Sequence, residues 1–171
     1  MLVQPSNFSP EMWNYIDNIP GWMGRKECEW LAGLAKTVNS WTEVGTYCGR
    51  SMAAVGLCLR FGSCLHVVDA QLQREFYTTR KWILEHRPDL HIVTLELPSI
   101  KAAKVVKDTD VVFIDADHQY QSVHDDILAW QGKCKVLCGH DYQPHWAGVV
   151  RAVDELCPNS LHPADDIWVR A

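Results

Sequence analysis

The chain of 171 residues is 47% hydrophobic and 22% charged, with a formal net charge of -5. That supplies one buried core, leaves too little chain for two ordinary domains and excludes a largely disordered polypeptide. No apolar run approaches the roughly 18 residues of a membrane span, and the seven cysteines, odd in number and without a charged-then-apolar leader, indicate free thiols in a reducing, cytoplasmic compartment.

Residues 1–23, with Pro5, Pro10 and Pro20, form a lead-in to a single domain spanning 1–171, and one short helix is expected within it at 11–17. Cys28, Leu31, Ala35 and Val38 recur at spacings of 3, 4 and 3, the stripe of a helix that starts at Arg25 and ends near Asn39. Short apolar runs at 41–44, 65–68, 92–95, 111–114 and 135–138 then alternate with helical stretches at 50–60, 74–86, 99–107 and 119–131. Strands alternating with helices of this size predict an α/β fold: a doubly wound, Rossmann-like, mostly parallel sheet with helices on both faces. Residues 148–156 read as one more helix and 167–169 as a closing strand, with 160–162 as a very short antiparallel mate. The cations are dispersed, as in Arg25-Lys26 and Arg80-Lys81, and Lys101, Lys104 and Lys107 share a face of the 99–107 helix. They read as solvated surface, and no nucleic-acid partner is expected. Cys134 and Cys138 fall on one face of the fifth strand without a second pair, so buried small hydrophobes are a better reading than a zinc site.

In an open parallel sheet, ligands bind beyond the carboxyl ends of the strands, where the helix N-termini also point. The first run delivers Gly45 and Gly49 to that rim, the second Asp69, the third Glu96 and Ser99, the fourth Asp115, Asp117 and His118, and the fifth His140, Asp141 and His145. A glycine loop opening a helix lets backbone N–H groups approach a carboxylate or phosphate, although a tight strand-to-helix turn needs the same glycines for geometry alone. The spacing is E-x-G-x-x-x-G, not the G-x-G-x-x-G of a dinucleotide site, which argues against NAD. Asp69 is placed to accept hydrogen bonds from ribose hydroxyls, or else to cap a helix. Asp115, Asp117, His140 and Asp141 stand close enough to share a cation or a proton, which suits metal binding or general-base work. The competing reading makes Asp117 or Asp141 a helix cap and leaves His118 and His145 on the surface.

The strings Glu43-Val-Gly-Thr-Tyr-Cys-Gly-Arg-Ser51, Val68-Asp69, Phe113-Ile-Asp-Ala-Asp-His-Gln-Tyr120, Cys138-Gly-His-Asp-Tyr142 and Gly148-Val-Val-Arg-Ala-Val-Asp-Glu155 together resemble the class I S-adenosylmethionine (SAM)-dependent methyltransferases. The resemblance runs from about Gly21 to Ala171 and is nearest to a small family with an IDADHxY motif after the fourth strand. It implies that the loop of Glu43, Gly45, Thr46, Gly49 and Ser51 holds the methionine end of SAM. It also places Asp69 and Ala70 at the ribose, Glu96 and Ser99 by the adenine, and Asp115 beside the cofactor. The sheet is expected to end in an antiparallel hairpin, abbreviated here, with a reduced lid or acceptor pocket. The acidic loops are also similar to those of metal-dependent sugar O-methyltransferases. By that similarity Asp115, His140 and Asp141 fall on metal-ligand positions and Asp117 on the general base, with His140 standing where that group has an acid.

The expected activity is therefore in-line transfer of a methyl group from SAM to a small-molecule acceptor, at oxygen, with Asp117 or His145 taking the proton and Mg2+ or Mn2+ as the ion. A homo-oligomer is compatible with the sequence. The rival readings are a SAM-binding module without catalysis, a metal-dependent hydrolase or hydroxylase using the Asp/His cluster, and a nucleotide-binding oxidoreductase.

Overall fold

The computed structural model describes residues 8–171, so the first seven residues of the lead-in, Pro5 among them, lie outside the described part. The described chain runs α1 (Pro10–Asn18), α2 (Arg25–Ala35), β1 (Ser40–Val44), α3 (Arg50–Cys58), β2 (Cys64–Asp69), α4 (Arg74–His86) and β3 (His91–Glu96). It continues with α5 (Ser99–Ala102), β4 (Thr109–Ile114), α6 (Tyr120–Trp130), β5 (Cys134–Gly139), a 3-10 turn (Pro144–Trp146), α7 (Ala147–Leu156) and β6 (Trp168–Val169).

The sheet order is β3-β2-β1-β4-β5-β6. The first five strands pair in parallel, and β6 pairs antiparallel to β5 through Cys138 with Val169 and Gly139 with Trp168. Both faces of the central strands are covered, and side chains alternate between two apolar layers as the period of two requires. Trp41 and Phe113 enter the layer under α2, α3 and α4 with Leu31, Met52 and Ile83. Val44, Val112 and Ile114 enter the opposite layer with Ala102, Ile127 and Val149 from α5, α6 and α7. The expected closing hairpin exists in its shortest form, since the mate of β6 is one bridge between Leu161 and Val169.

Three expectations need correction. The 99–107 helix stops at Ala102, because the Val105 amide bonds back three residues to the Ala102 carbonyl and the chain tightens to bury Ala103 and Val106 before β4; Lys104 and Lys107 therefore do not share a helix face with Lys101. The α2 helix ends at Ala35 instead of Asn39, where the Thr37 hydroxyl donates to the Leu34 carbonyl at 2.7 Å. Cys134 and Cys138 pack in opposite layers, because Cys134 opens the strand with its thiol turned back to the Trp130 carbonyl. None of the seven cysteines is in a disulfide, and among the described residues no helix is long and apolar enough to cross a membrane.

The lead-in docks through Arg50, at the start of α3. Its guanidinium donates to the carbonyls of Asp17, Ile19 and Met23 at 2.6 to 3.2 Å, which fixes residues 19–23 beside the carboxyl end of β1.

Candidate functional site

The strand order reverses between β1 and β4, and in such sheets that is where a crevice opens. Three backbone bonds continue the pairing past the strand ends and aim the loops: Gly45 N–H to Val68 O at 2.8 Å, Asp115 N–H to Val44 O at 2.8 Å and His140 N–H to Ile114 O at 3.0 Å. Above them lies a cleft of about 920 Å3, within the size range of small-molecule and cofactor sites.

One half of the cleft is the glycine loop. Gly45 has φ +84°, and a Cβ there would stand 2.0 Å from the Asp115 carbonyl oxygen, so no side chain fits. Tyr47 is also left-handed, at φ 49°, and this turns its amide onto Asp69. The Asp69 carboxylate accepts from Thr46 N–H (3.0 Å) and Tyr47 N–H (3.1 Å) on one oxygen and from Gln71 N–H (2.9 Å) on the other. Three of its roughly four acceptor sites are thus taken. That leaves about one acceptor site open to a further hydrogen-bond donor. Gly49 caps α3 without a side-chain acceptor, so the first-turn amides and the positive helix end lie open to a carboxylate where Ser51 lines the cleft. These donors, together with the small residues Gly45 and Ala70 and the cleft volume, fit the methionine and nucleoside ends of SAM.

The other half is built from the ends of β4 and β5. His140 is buried, and its Nε2 lies 2.8 Å from Glu27 Oε1 while its Nδ1 faces Asp115 Oδ1 at 3.5 Å and Asp141 Oδ2 at 3.4 Å. Burial opposes the charge on this ring, while the neighbouring Asp115, Asp141 and Glu27 favour it and raise its pKa; a cation held by the same carboxylates would remove that effect. Burial raises the Asp115 carboxyl, with His140 opposing. Burial works on Asp141 in the same sense, but His140 and His118 overcome it and hold Asp141 low. Asp141 sits at φ 63°, a costly conformation that Asp tolerates better than most residues. His118 Nε2 meets the same Asp141 Oδ2 at 2.8 Å, and its ring stacks on Trp146 with centroids 3.9 Å apart. Gly148 allows this: a Cβ there would fall 2.3 Å from the His118 carbonyl, so only glycine lets α7 press against the loop.

The structure gathers Gly45, Thr46, Ser51, Asp69, Ala70, Ser99, Asp115, Asp117, His140 and Asp141 around one cleft. Four expected residues are not on its wall. Glu43 is fully buried beneath the loop, bonded to the Ser51 hydroxyl at 3.0 Å, and Gly49 shapes the helix start from behind. Glu96 is exposed outside the cleft, with one oxygen 3.4 Å from the Leu72 amide, because β3 is the edge strand. His145 is exposed on the 3-10 turn, edge-on to Trp146. Asp117 lines the rim, but its carboxylate accepts from His118 N–H, Gln119 N–H and the Ser122 hydroxyl (2.6 Å). The Ser122 bond in particular holds its pKa low. His118, read as surface, belongs to the cleft instead, because its bond to Asp141 and its stack on Trp146 turn it inward. Sequence reasoning missed Glu27, Trp146 and the aromatic pair Trp22 and Tyr47, whose rings stand 5.2 Å apart at the mouth.

A six-stranded, mostly parallel sheet with a glycine loop after β1, an acid after β2 and a short antiparallel closing strand is the architecture of the class I SAM-dependent methyltransferases. The chain belongs to a family described as a methyltransferase domain, whose model matches residues 42–142. Solved structures agree on the fold. The chain is similar to an O-methyltransferase from Bacillus cereus in complex with SAH (TM-score 0.66, 17% identity, covering 93% of this chain and 87% of that one). It is also similar to a methyltransferase from Geobacter sulfurreducens (TM-score 0.70, 12% identity, 95% and 88%) and to an SAH-bound methyltransferase from Podospora anserina (TM-score 0.65, 11% identity, 94% and 86%). Among curated proteins no relative matches the sequence.

Proposed function

We propose that this methyltransferase moves the methyl group of SAM to a hydroxyl of a small-molecule acceptor, with a divalent ion held by Asp115, His140 and Asp141. The observation that carries the reading is that one cleft joins the open start of α3 to this acid and imidazole group. Their separations support an ion. Two donors about 2.1 Å from one ion and 90–110° apart lie about 3.0–3.4 Å from each other, whereas a charge-assisted N–H···O bond is about 2.7–2.9 Å. The His140 Nδ1 distances of 3.4 and 3.5 Å match the first spacing and overshoot the second. Two carboxylates and one imidazole suit Mn2+ or Mg2+.

SAM brings an activated methyl, so the work of the protein is alignment and exclusion of water. A bound ion would favour the ionised form of an acceptor hydroxyl. The 45–51 loop and Asp69 hold the cofactor at one end of the cleft, where Trp22 stands over Tyr47, while Trp146 offers flat apolar surface to the acceptor at the other. Proton acceptance falls to His118 instead of Asp117 or His145. Its ring lines the cleft and is oriented by Asp141, whereas Asp117 is committed to the start of α6 and His145 lies outside. Calorimetric titration with SAM and SAH tests the first step, and labelled-methyl transfer to a panel of hydroxyl acceptors with and without Mn2+ tests the second. A folded protein that binds neither ligand overturns the proposal.

A further inference from the structure

We propose that Glu27 is the positioning residue of the ion site, acting through His140. Its Oε1 accepts a hydrogen bond from Nε2–H of the ring, so that the Nδ1 lone pair, facing Asp115 and Asp141, is the one left for an ion. The inference rests on the ion reading above and concerns a residue of α2, ahead of the stretch 42–142 that the family model matches.

A histidine can bind an ion through either nitrogen, and the bond made by the other nitrogen decides which. At 2.8 Å the Nε2 to Glu27 contact is a hydrogen bond, which leaves no space for an ion between them. Glu27, His140 and Asp166 also lie close enough together to suggest a cation site, but the 2.8 Å separation of Nε2 from Glu27 matches a hydrogen bond and is shorter than the spacing of two ligands on one ion. The carboxylate is itself fixed from three directions: Oε2 accepts Gly24 N–H at 2.7 Å, and Oε1 accepts the Asp166 amide at 3.2 Å as well as the ring. The sequence separation of Glu27 from His140 is 113 and from Asp166 139, so three distant segments meet on one buried side chain. A carboxylate behind a ligating imidazole fixes the ring orientation and makes the other nitrogen a better donor. Loss of such a partner lowers metal affinity by about 10–100-fold.

The test uses the full chain and Mn2+ itself. Binding is measured by calorimetry for the wild type, Glu27→Gln and Asp115→Asn, with thermal melts to establish folding. Gln at position 27 can still accept the Gly24 amide, as in capping boxes generally. If Glu27→Gln does not fold, Glu27→Asp takes its place, charged but one methylene short of the ring. The expected result is Mn2+ binding by the wild type, weakening of about 10–100-fold in the Glu27 variant, and loss in Asp115→Asn. With Mg2+ bound, nitrogen shifts of labelled His140 should show the proton on Nε2 and none on Nδ1. Equal Mn2+ affinity in wild type and Glu27 variant, or a proton on Nδ1 with the ion bound, overturns the role of Glu27 while leaving the ion site standing. No binding by the wild type, or unchanged binding by Asp115→Asn, overturns the ion reading and this inference with it.

Discussion

Glu43 lies fully buried beneath the glycine loop, and burial pushes its carboxyl from the ordinary 4.5 up to about 8, with the hydroxyls of Thr46 and Ser51 opposing. At neutral pH it is therefore protonated in the folded chain and ionised in the unfolded one. Because the folded pKa is the higher, the stability this group contributes is fully present below pH 4.5 and is lost as pH rises to about 8. Between those limits the loss is about 1.4 kcal/mol per pH unit, or about 4–5 kcal/mol over the whole span. Glu43→Gln removes the titration and adds an amide hydrogen whose burial costs about 1–3 kcal/mol at every pH; that cost offsets the comparison without changing its slope. Urea unfolding of both proteins at pH 5, 6, 7 and 8 should show the wild type more stable at the acid end and the variant gaining about 1.4 kcal/mol on it with each unit. A difference that stays flat with pH refutes the claim that Glu43 is held neutral beneath the loop.

Gly45→Ala places a methyl 2.0 Å from the Asp115 carbonyl oxygen at φ +84° and should destabilise the fold by at least about 3 kcal/mol in the same unfolding assay. Asp69→Ala frees the amides of Thr46, Tyr47 and Gln71, so calorimetry should show SAM binding weakened by about 1–3 kcal/mol; unchanged affinity would mean that the loop needs no brace. Asp117→Asn and His118→Gln separate the two candidate bases. Once an acceptor is in hand, the first should keep most of the turnover and the second lose about 10²–10⁴-fold with SAM affinity intact, and the reverse order would return the role to Asp117.

The parts of this protein that were legible in its sequence are those whose cause is local. Apolar runs with period two or 3.6 placed all five parallel strands within two residues, because burial on both faces of a sheet leaves few other ways to hide Trp41, Val67 or Phe113. The rule that ligands gather beyond the strand ends located the cleft from the same pattern, since it depends on strand direction alone. What strand ends cannot reveal is which way a side chain turns once the loop leaves the sheet. Asp117 and His118 are adjacent, yet Ser122 draws the first onto α6 while Trp146 and Asp141 draw the second into the cleft. Glu27 was hidden for a different reason. In sequence it is an acid in the first turn of α2, where it accepts the Gly24 amide, so its local role is complete and nothing signals a second one. The proposed second role needs α2 to stand beside the end of β5, where the Glu27 carboxylate meets the His140 ring and the Asp166 amide. The proposed ion site would therefore depend on a contact across 113 residues, in which an acid at the start of α2 would also choose the nitrogen that His140 presents.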